Sequence, residues 1–189
     1  MDKRDFLKKF SCLGLCACTN LIVDPDSAHA KTNDEECDKL KDQNWRLEWR
    51  LNHAKRQFCT LLNEIEPEIP SENKHRIMET MGRNCAKSLN WAEKYKGNPE
   101  GFFKHMHNHS GEKISFNENG DRITIITRDR DCDCPIIDSS KAPAYYCDCS
   151  LGWQKETYET ILGKPVDVVV KESVIRGSKR CVFEVTINA

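Results

Sequence analysis

Residues 147–185 constrain this chain more than any other stretch, because they read as one helix, a hard stop and two strands with little room for another assignment. Ser150 is predicted to cap the helix. Leu151, Tyr158 and Leu162, with the stem of Lys155, then fall on one face, and Gly163 followed by Pro165 ends it. Val166, Val168 and Val170 alternate with Asp167, Val169 and Lys171, and Arg176-Gly177-Ser178 turns the chain into Cys181-Val182-Phe183-Glu184-Val185. A helix with one apolar face next to an amphipathic hairpin buries that face against it.

A second hairpin is expected upstream. Residues 113–116 and 122–128 flank Asn117-Glu118-Asn119-Gly120, with Ile123, Ile125 and Thr127 on one side and Thr124 and Ile126 on the other. The two hairpins join in one antiparallel sheet. Before them the periodicity is helical. Leu40, Leu47, Leu51, Ala54, Phe58, Leu61, Leu62 and Ile65 mark a long amphipathic helix over 37–65 that Pro67 terminates. Ser71 is predicted to cap a second helix with Ile77, Met78, Met81, Cys85 and Leu89 inward, and Asn98-Pro99-Glu100 opens a third carrying Phe102, Phe103 and Met106. The fold class is α+β: a four-stranded antiparallel sheet packed with N-terminal helices and one helix preceding the C-terminal hairpin. With 189 residues, 38% hydrophobic content and a net charge of −1, one domain over 31–189 is expected, with no electrostatic case for nucleic acid.

The strongest chemical signal is a pair of pairs. Cys132-Asp133-Cys134 and Cys147-Asp148-Cys149 bracket twelve residues. Four thiolates at tetrahedral distance bind zinc or iron and staple an irregular loop to a sheet. Disulfides between the pairs, or free or catalytic thiols, are the alternatives; a disulfide within a Cys-x-Cys pair is strained. Asp133 and Asp148 are expected to raise the thiol pKa values. His105 and His109 share a helical face at ligand spacing, with His107 pointing away, against surface or capping roles. Arg83 is suited to holding a ligand carboxylate through two hydrogen bonds, or to a surface ion pair. Trp45 and Trp49, one turn apart, read either as a ligand wall or dimer surface or as packing, and Cys85 as a small buried hydrophobe.

The first thirty residues read as an export signal. A charged stretch over 1–9, a mostly apolar one over 10–23 and Ala28-His29-Ala30 fit a cleaved leader, and Lys3-Arg4-Asp5-Phe6-Leu7-Lys8 is similar to a twin-arginine signal with lysine in the first place. Leu15-Cys16-Ala17-Cys18 also resembles a lipoprotein box, which would lipidate Cys18 and associate the protein with a membrane. An uncleaved amphipathic helix is the third reading. Export to the periplasm leaves eight of the eleven cysteines, and residues 31–36 are expected to form a polar linker.

The run Cys147-x-Cys149-Ser150-x-Gly152-Trp153, with Gly163-Lys164-Pro165-Val166, Glu172, Arg176-Gly177 and Cys181-x-Phe183, resembles the C-terminal half of the 4-vinyl-reductase, or hydrocarbon-binding, domain family. It is similar above all to cysteine-rich exported bacterial proteins with the same ending. The resemblance covers about 45 residues and, more loosely, 81–86. It implies a structural zinc held by cysteines and a glutamate beside an apolar pocket, which points here to Cys149 or Cys147, Glu172 and Cys181. Val174 stands where those sensors carry a further cysteine, so the complete site does not transfer. The implied function is binding of a small apolar or aromatic molecule by Trp153, Tyr158, Tyr145, Tyr146, Phe102 and Phe103, with Arg83 as an added ligand contact. A metal-dependent hydrolase and a thiol redox protein are the alternatives. No nucleophile elbow, phosphate loop or dinucleotide motif is present, and a homodimer is open.

Overall fold

The computed structural model describes residues 28–129, 132 and 134–188. The proposed twin-arginine run and Cys18 lie outside them. The chain divides into two compact units, Met1–Ala54 and Lys55–Ala189. Helix α1 (Ala28–Ile65) begins in the first and ends in the second; α2 (Ser71–Leu89), α3 (Pro99–Ser110) and α4 (Cys147–Leu162) belong to the second, with strands β1 (Lys113–Phe116), β2 (Arg122–Ile126), β3 (Val166–Glu172) and β4 (Val182–Ile187). The described part of the first unit is the helical stretch 28–54. Residues 31–36, expected as a linker, are helical, since Lys31-Thr32-Asn33-Asp34-Glu35-Glu36 holds neither Gly nor Pro to interrupt the turns.

The second unit is the expected α+β arrangement. Its strands lie in the order β1-β2-β4-β3, all neighbours antiparallel. The hairpins meet where Ile123 pairs with Val185 and Ile125 with Phe183. Alternation puts Ile123, Ile125, Val166, Val168, Phe183 and Val185 on one buried face, while Val169 is half exposed on the other. Phe102 and Met106 of α3 and Leu151, Tyr158 and Ile161 of α4 cover that face. The β1–β2 turn is tied by Asn117, whose Oδ1 accepts from Arg122 N at 3.0 Å.

Helix starts differ from the sequence expectation twice. Pro70, with no side-chain hydrogen bond, occupies the cap position before Ser71. Helix α4 starts at Cys147 rather than after Ser150, because the 3₁₀ turn Ala144–Tyr146 feeds directly into it. Cys147 and Cys149 therefore stand two residues apart on a first helical turn and project to different sides. At α3 the expectation holds: Asn98 Oδ1 accepts from Gly101 N at 3.0 Å.

Helices α2 and α4 cross at backbone contact. A Cβ on Gly82 would overlap the carbonyl oxygen of Cys149, and one on Gly152 would overlap that of Glu79. Glycine in a helix interior costs about 1 kcal/mol relative to alanine, so here the crossing outweighs propensity. Gly82→Ala is expected to destabilise the protein by about 2–4 kcal/mol in urea unfolding, although the same change on a free helix stabilises it. An unchanged or raised midpoint would contradict the close crossing.

Candidate functional site

Six thiols of the second unit gather beside the start of α4, drawn from four segments: Cys85 on α2, Cys132 and Cys134 on the loop after β2, Cys147 and Cys149 on α4, and Cys181 before β4. Tyr146 sits among them. Its side chain is buried, with the ring edge-on to Phe58 at 6.0 Å, its hydroxyl 3.1 Å from Cys134 Sγ and Cys149 close by. Met78, Ile137, Cys59 and Leu62 close this small core, and Cys59 Sγ donates to Asp138 O at 3.8 Å.

The helical start at Cys147 sorts the second pair. Cys149 turns toward Cys134, Cys85 and Cys132, whereas Cys147 Sγ lies 2.7 Å from the buried Ser173 Oγ, with Cys181 nearby. Burial is the largest cause of the raised thiol pKa values of Cys132, Cys147 and Cys149; Cys85, expected as a small buried hydrophobe, is exposed, and partial desolvation still raises its thiol. Neighbouring thiols push the same way, and Cys149 reaches about 12. Asp148 contributes little, and Asp133 lies outside the described residues. Asp148 is held by His75 Nδ1 at 3.1 Å and Arg176 Nη2 at 3.2 Å, and it is the smallest of the causes raising Cys147. Cys59, Cys85, Cys132, Cys134, Cys147, Cys149 and Cys181 are free thiols.

Among the described residues, no three His, Cys, Asp or Glu side chains converge closely enough to hold a metal ion. Soft sulfur donors of the right kind surround one place, yet as placed they do not complete a coordination shell. Glu172 turns away from them: its carboxylate lies 3.6 Å from Arg180 Nε, although its backbone pairs with Val182, next to Cys181. His105 and His109 do share a face, stacked at 5.7 Å, and they pack edge-on to Trp91.

The aromatic candidates separate into two groups. Tyr145 and Tyr146 belong to the thiol side, where Tyr145 Oη donates to Leu62 O at 2.8 Å. Tyr158, Phe102 and Phe103 meet in the layer between helices and sheet, with ring centroids 6.0 Å and 6.4 Å from Tyr158. Trp153 is partly exposed beside the α2–α4 crossing. Arg83 Nη1 reaches Glu159 at 2.6 Å and Glu156 at 3.1 Å, and its Nε reaches Glu79 at 3.3 Å. Its hydrogen bonds go to three carboxylates of the protein itself, with the bond to Glu159 the largest cause of its raised pKa.

Tyr158 carries the feature that sequence reasoning missed. It is fully buried, and its hydroxyl has no hydrogen-bond partner among the described residues. Burial, and then the Glu112 carboxylate, hold its pKa well above the ordinary phenol value. Glu112, itself 8% exposed, lines a surface recess of about 370 Å³ with Phe103, Lys104, His107, Lys113, Ile114 and Ser115. Phe103 is the shared wall, since it packs on Tyr158 and also on Phe116 at 5.3 Å.

No protein-family profile matches the chain, and no curated protein matches it. Among the solved structures that resemble it in part are the following two. A trafficking protein particle complex subunit 3 from Naegleria fowleri, covalently bound to palmitic acid, is 12% identical, covers 75% of this chain and 97% of its own, and superposes with a TM-score of 0.45. A vinyl-4-reductase family protein from Methanocaldococcus jannaschii is 13% identical, covers 100% and 98%, and gives a TM-score of 0.33.

The raised thiol pKa values set reactivity. A thiol buried as neutral S–H reacts more slowly than a free one, because the thiolate is the nucleophile. At pH 8, Cys149 in the native protein is expected to alkylate about 50-fold more slowly than in the denatured chain, after allowing for the higher nucleophilicity of a more basic thiolate. Peptide-resolved labelling reads this directly. Equal native and denatured rates would contradict the buried site.

Proposed function

We propose that the second unit binds a small apolar or aromatic molecule carrying one hydrogen-bond acceptor, in the layer between α3, α4 and the sheet. The observation that carries this reading is the buried Tyr158 hydroxyl. A buried donor left unmade costs about 1–3 kcal/mol, and a core built only for stability needs phenylalanine there. A ligand acceptor would satisfy it. The recess beside Phe103 would supply the approach, since Phe103 lines it and also packs on Tyr158. Phe102, Phe103 and Ile114 would give apolar contact, with Lys104, Lys113 and His107 at the mouth for a polar tail.

The clustered thiols serve a second purpose in this reading, as the donors for a structural zinc or iron ion that fixes the Cys132–Cys149 loop. Support comes from the donor chemistry and from four chain segments bringing thiols to one place; Cys134 and Cys149, bridged by Tyr146, are the first pair. Thiol ligation requires these side chains to change rotamer, since they do not converge as placed. The N-terminal leader makes the protein an exported one in this account, working at the periplasmic face. A leader of twin-arginine type would carry the chain across folded and already metal-loaded.

Titration of the chain with a naphthol or a short-chain aromatic ketone, followed by intrinsic fluorescence, tests the ligand. Saturable binding is expected, weakened about tenfold in Tyr158→Phe, whose apo form melts no lower than the parent. Binding unaltered by Tyr158→Phe, or none at millimolar ligand, would overturn the reading. About one zinc or iron per chain is expected in the same sample when it is purified without chelators. A metal-free sample with full ligand binding would remove the metal alone.

A further inference from the structure

The three histidines of α3 divide by what they touch. His107 is turned back on its own chain, with Nδ1 3.2 Å from the Glu112 carbonyl oxygen. His105 and His109 stand one turn apart on another side of the helix. Among the described residues their contacts are to rings: they stack on each other with centroids 5.7 Å apart and planes 7° apart, Trp91 makes edge-on contact with both at 6.3 and 6.0 Å, and Tyr95 lies against His105 at 5.4 Å. None of these contacts is a hydrogen bond to an imidazole nitrogen. Trp91 and Tyr95 come from the 3₁₀ turn between α2 and α3, and Tyr95 is braced edge-on against the buried Phe102 at 5.5 Å.

We propose that His105 and His109 form a two-imidazole site for an exchangeable divalent transition-metal ion, nickel, copper or zinc, with water in its remaining positions. Imidazole is a ligand for these ions, whereas calcium and magnesium take oxygen donors. An ion that holds both rings at bond lengths of about 2.0–2.1 Å draws the two donor nitrogens to about 3 Å of each other. The stacked rings reach that geometry by tilting inward about their last torsion, which is broad in histidine, with the backbone of α3 unchanged. Trp91 and Tyr95 restrict the rings from their outer sides, so little side-chain freedom is left to lose on binding. Two donors fixed on one helix act as a chelate, the second closing intramolecularly once the first has bound. With two protein donors rather than four, the ion keeps open positions and exchanges, unlike one closed in by thiolates.

Nickel binds imidazole without oxidising thiols, so Ni²⁺ alone, added to the full chain, is the probe. Carbethoxylation of the histidines, mapped residue by residue by mass spectrometry, reads this site separately from any nickel taken up by the cysteines. Ni²⁺ is expected to protect His105 and His109 with one common midpoint and to leave His53 and His107 reactive. Replacing either member should expose the other: His105→Asn is expected to raise the nickel concentration that protects His109 at least about tenfold, and His109→Asn to do the same for His105. His109 is exposed, so His109→Asn reads the pairing even if the His105 variant folds poorly. No protection at about 1 mM Ni²⁺ overturns the proposal, as does equal protection of all four histidines. A midpoint for each histidine that is indifferent to loss of the other overturns it as well, because two separate imidazoles are then binding on their own.

Discussion

The backbone contact between α2 and α4 at Gly82 and Gly152 is the constraint on which the rest of the second unit depends. Two helices that close can shift only together, so groups on either side of the crossing hold fixed positions relative to each other. Arg83 joins Glu156 and Glu159, one and two turns beyond the crossing, and Lys155 reaches Glu79 at 3.2 Å across it. This ion cluster locks the angle and register that the glycines permit. It also brings Cys85 of α2 into the electrostatic range of Cys149 on the first turn of α4.

Helix α4 thereby separates two chemistries. Its start carries thiols beside Tyr146, in a pocket of sulfur and aromatic groups where burial keeps Cys147 and Cys149 protonated. Its far half lays Tyr158 and Ile161 on the sheet, where the phenol hydroxyl is the one buried side-chain polar atom without a partner among the described residues. A metal at the first place would stiffen the loop and the helix start, and so would set how easily the layer around Tyr158 opens. In the proposed reading, binding and staple would be mechanically linked through one helix.

The sheet was legible from the chain because period-two alternation and the Asn117-Glu118-Asn119-Gly120 turn are local signals, and one face of each hairpin had to be buried. The end of α4 was equally plain at Gly163, whose N–H bonds Glu159 O at 2.9 Å. Its start was not: Ser150 is a good cap residue, but tertiary packing of Tyr146 overrode it and extended the helix to Cys147. An ion pair was one of the two readings of Arg83, and Glu79 lies one turn away, but Glu156 and Glu159 were hidden because they stand 73 and 76 residues away. The crossing was hidden for a different reason, since an interior glycine reads locally as a weak helix position. The Tyr158 orphan depends on what fails to reach one atom, which no sequence pattern reports.

Short-span cross-linking of native thiols is the most direct test of how the crossing assembles the cysteine site. A bifunctional alkylator that bridges sulfurs only a few ångströms apart, followed by peptide mapping, should join Cys134 to Cys149, the two thiols on either side of the Tyr146 hydroxyl. Links confined to Cys132 with Cys134 and to Cys147 with Cys149 would show that the two loops do not meet, and would contradict the account.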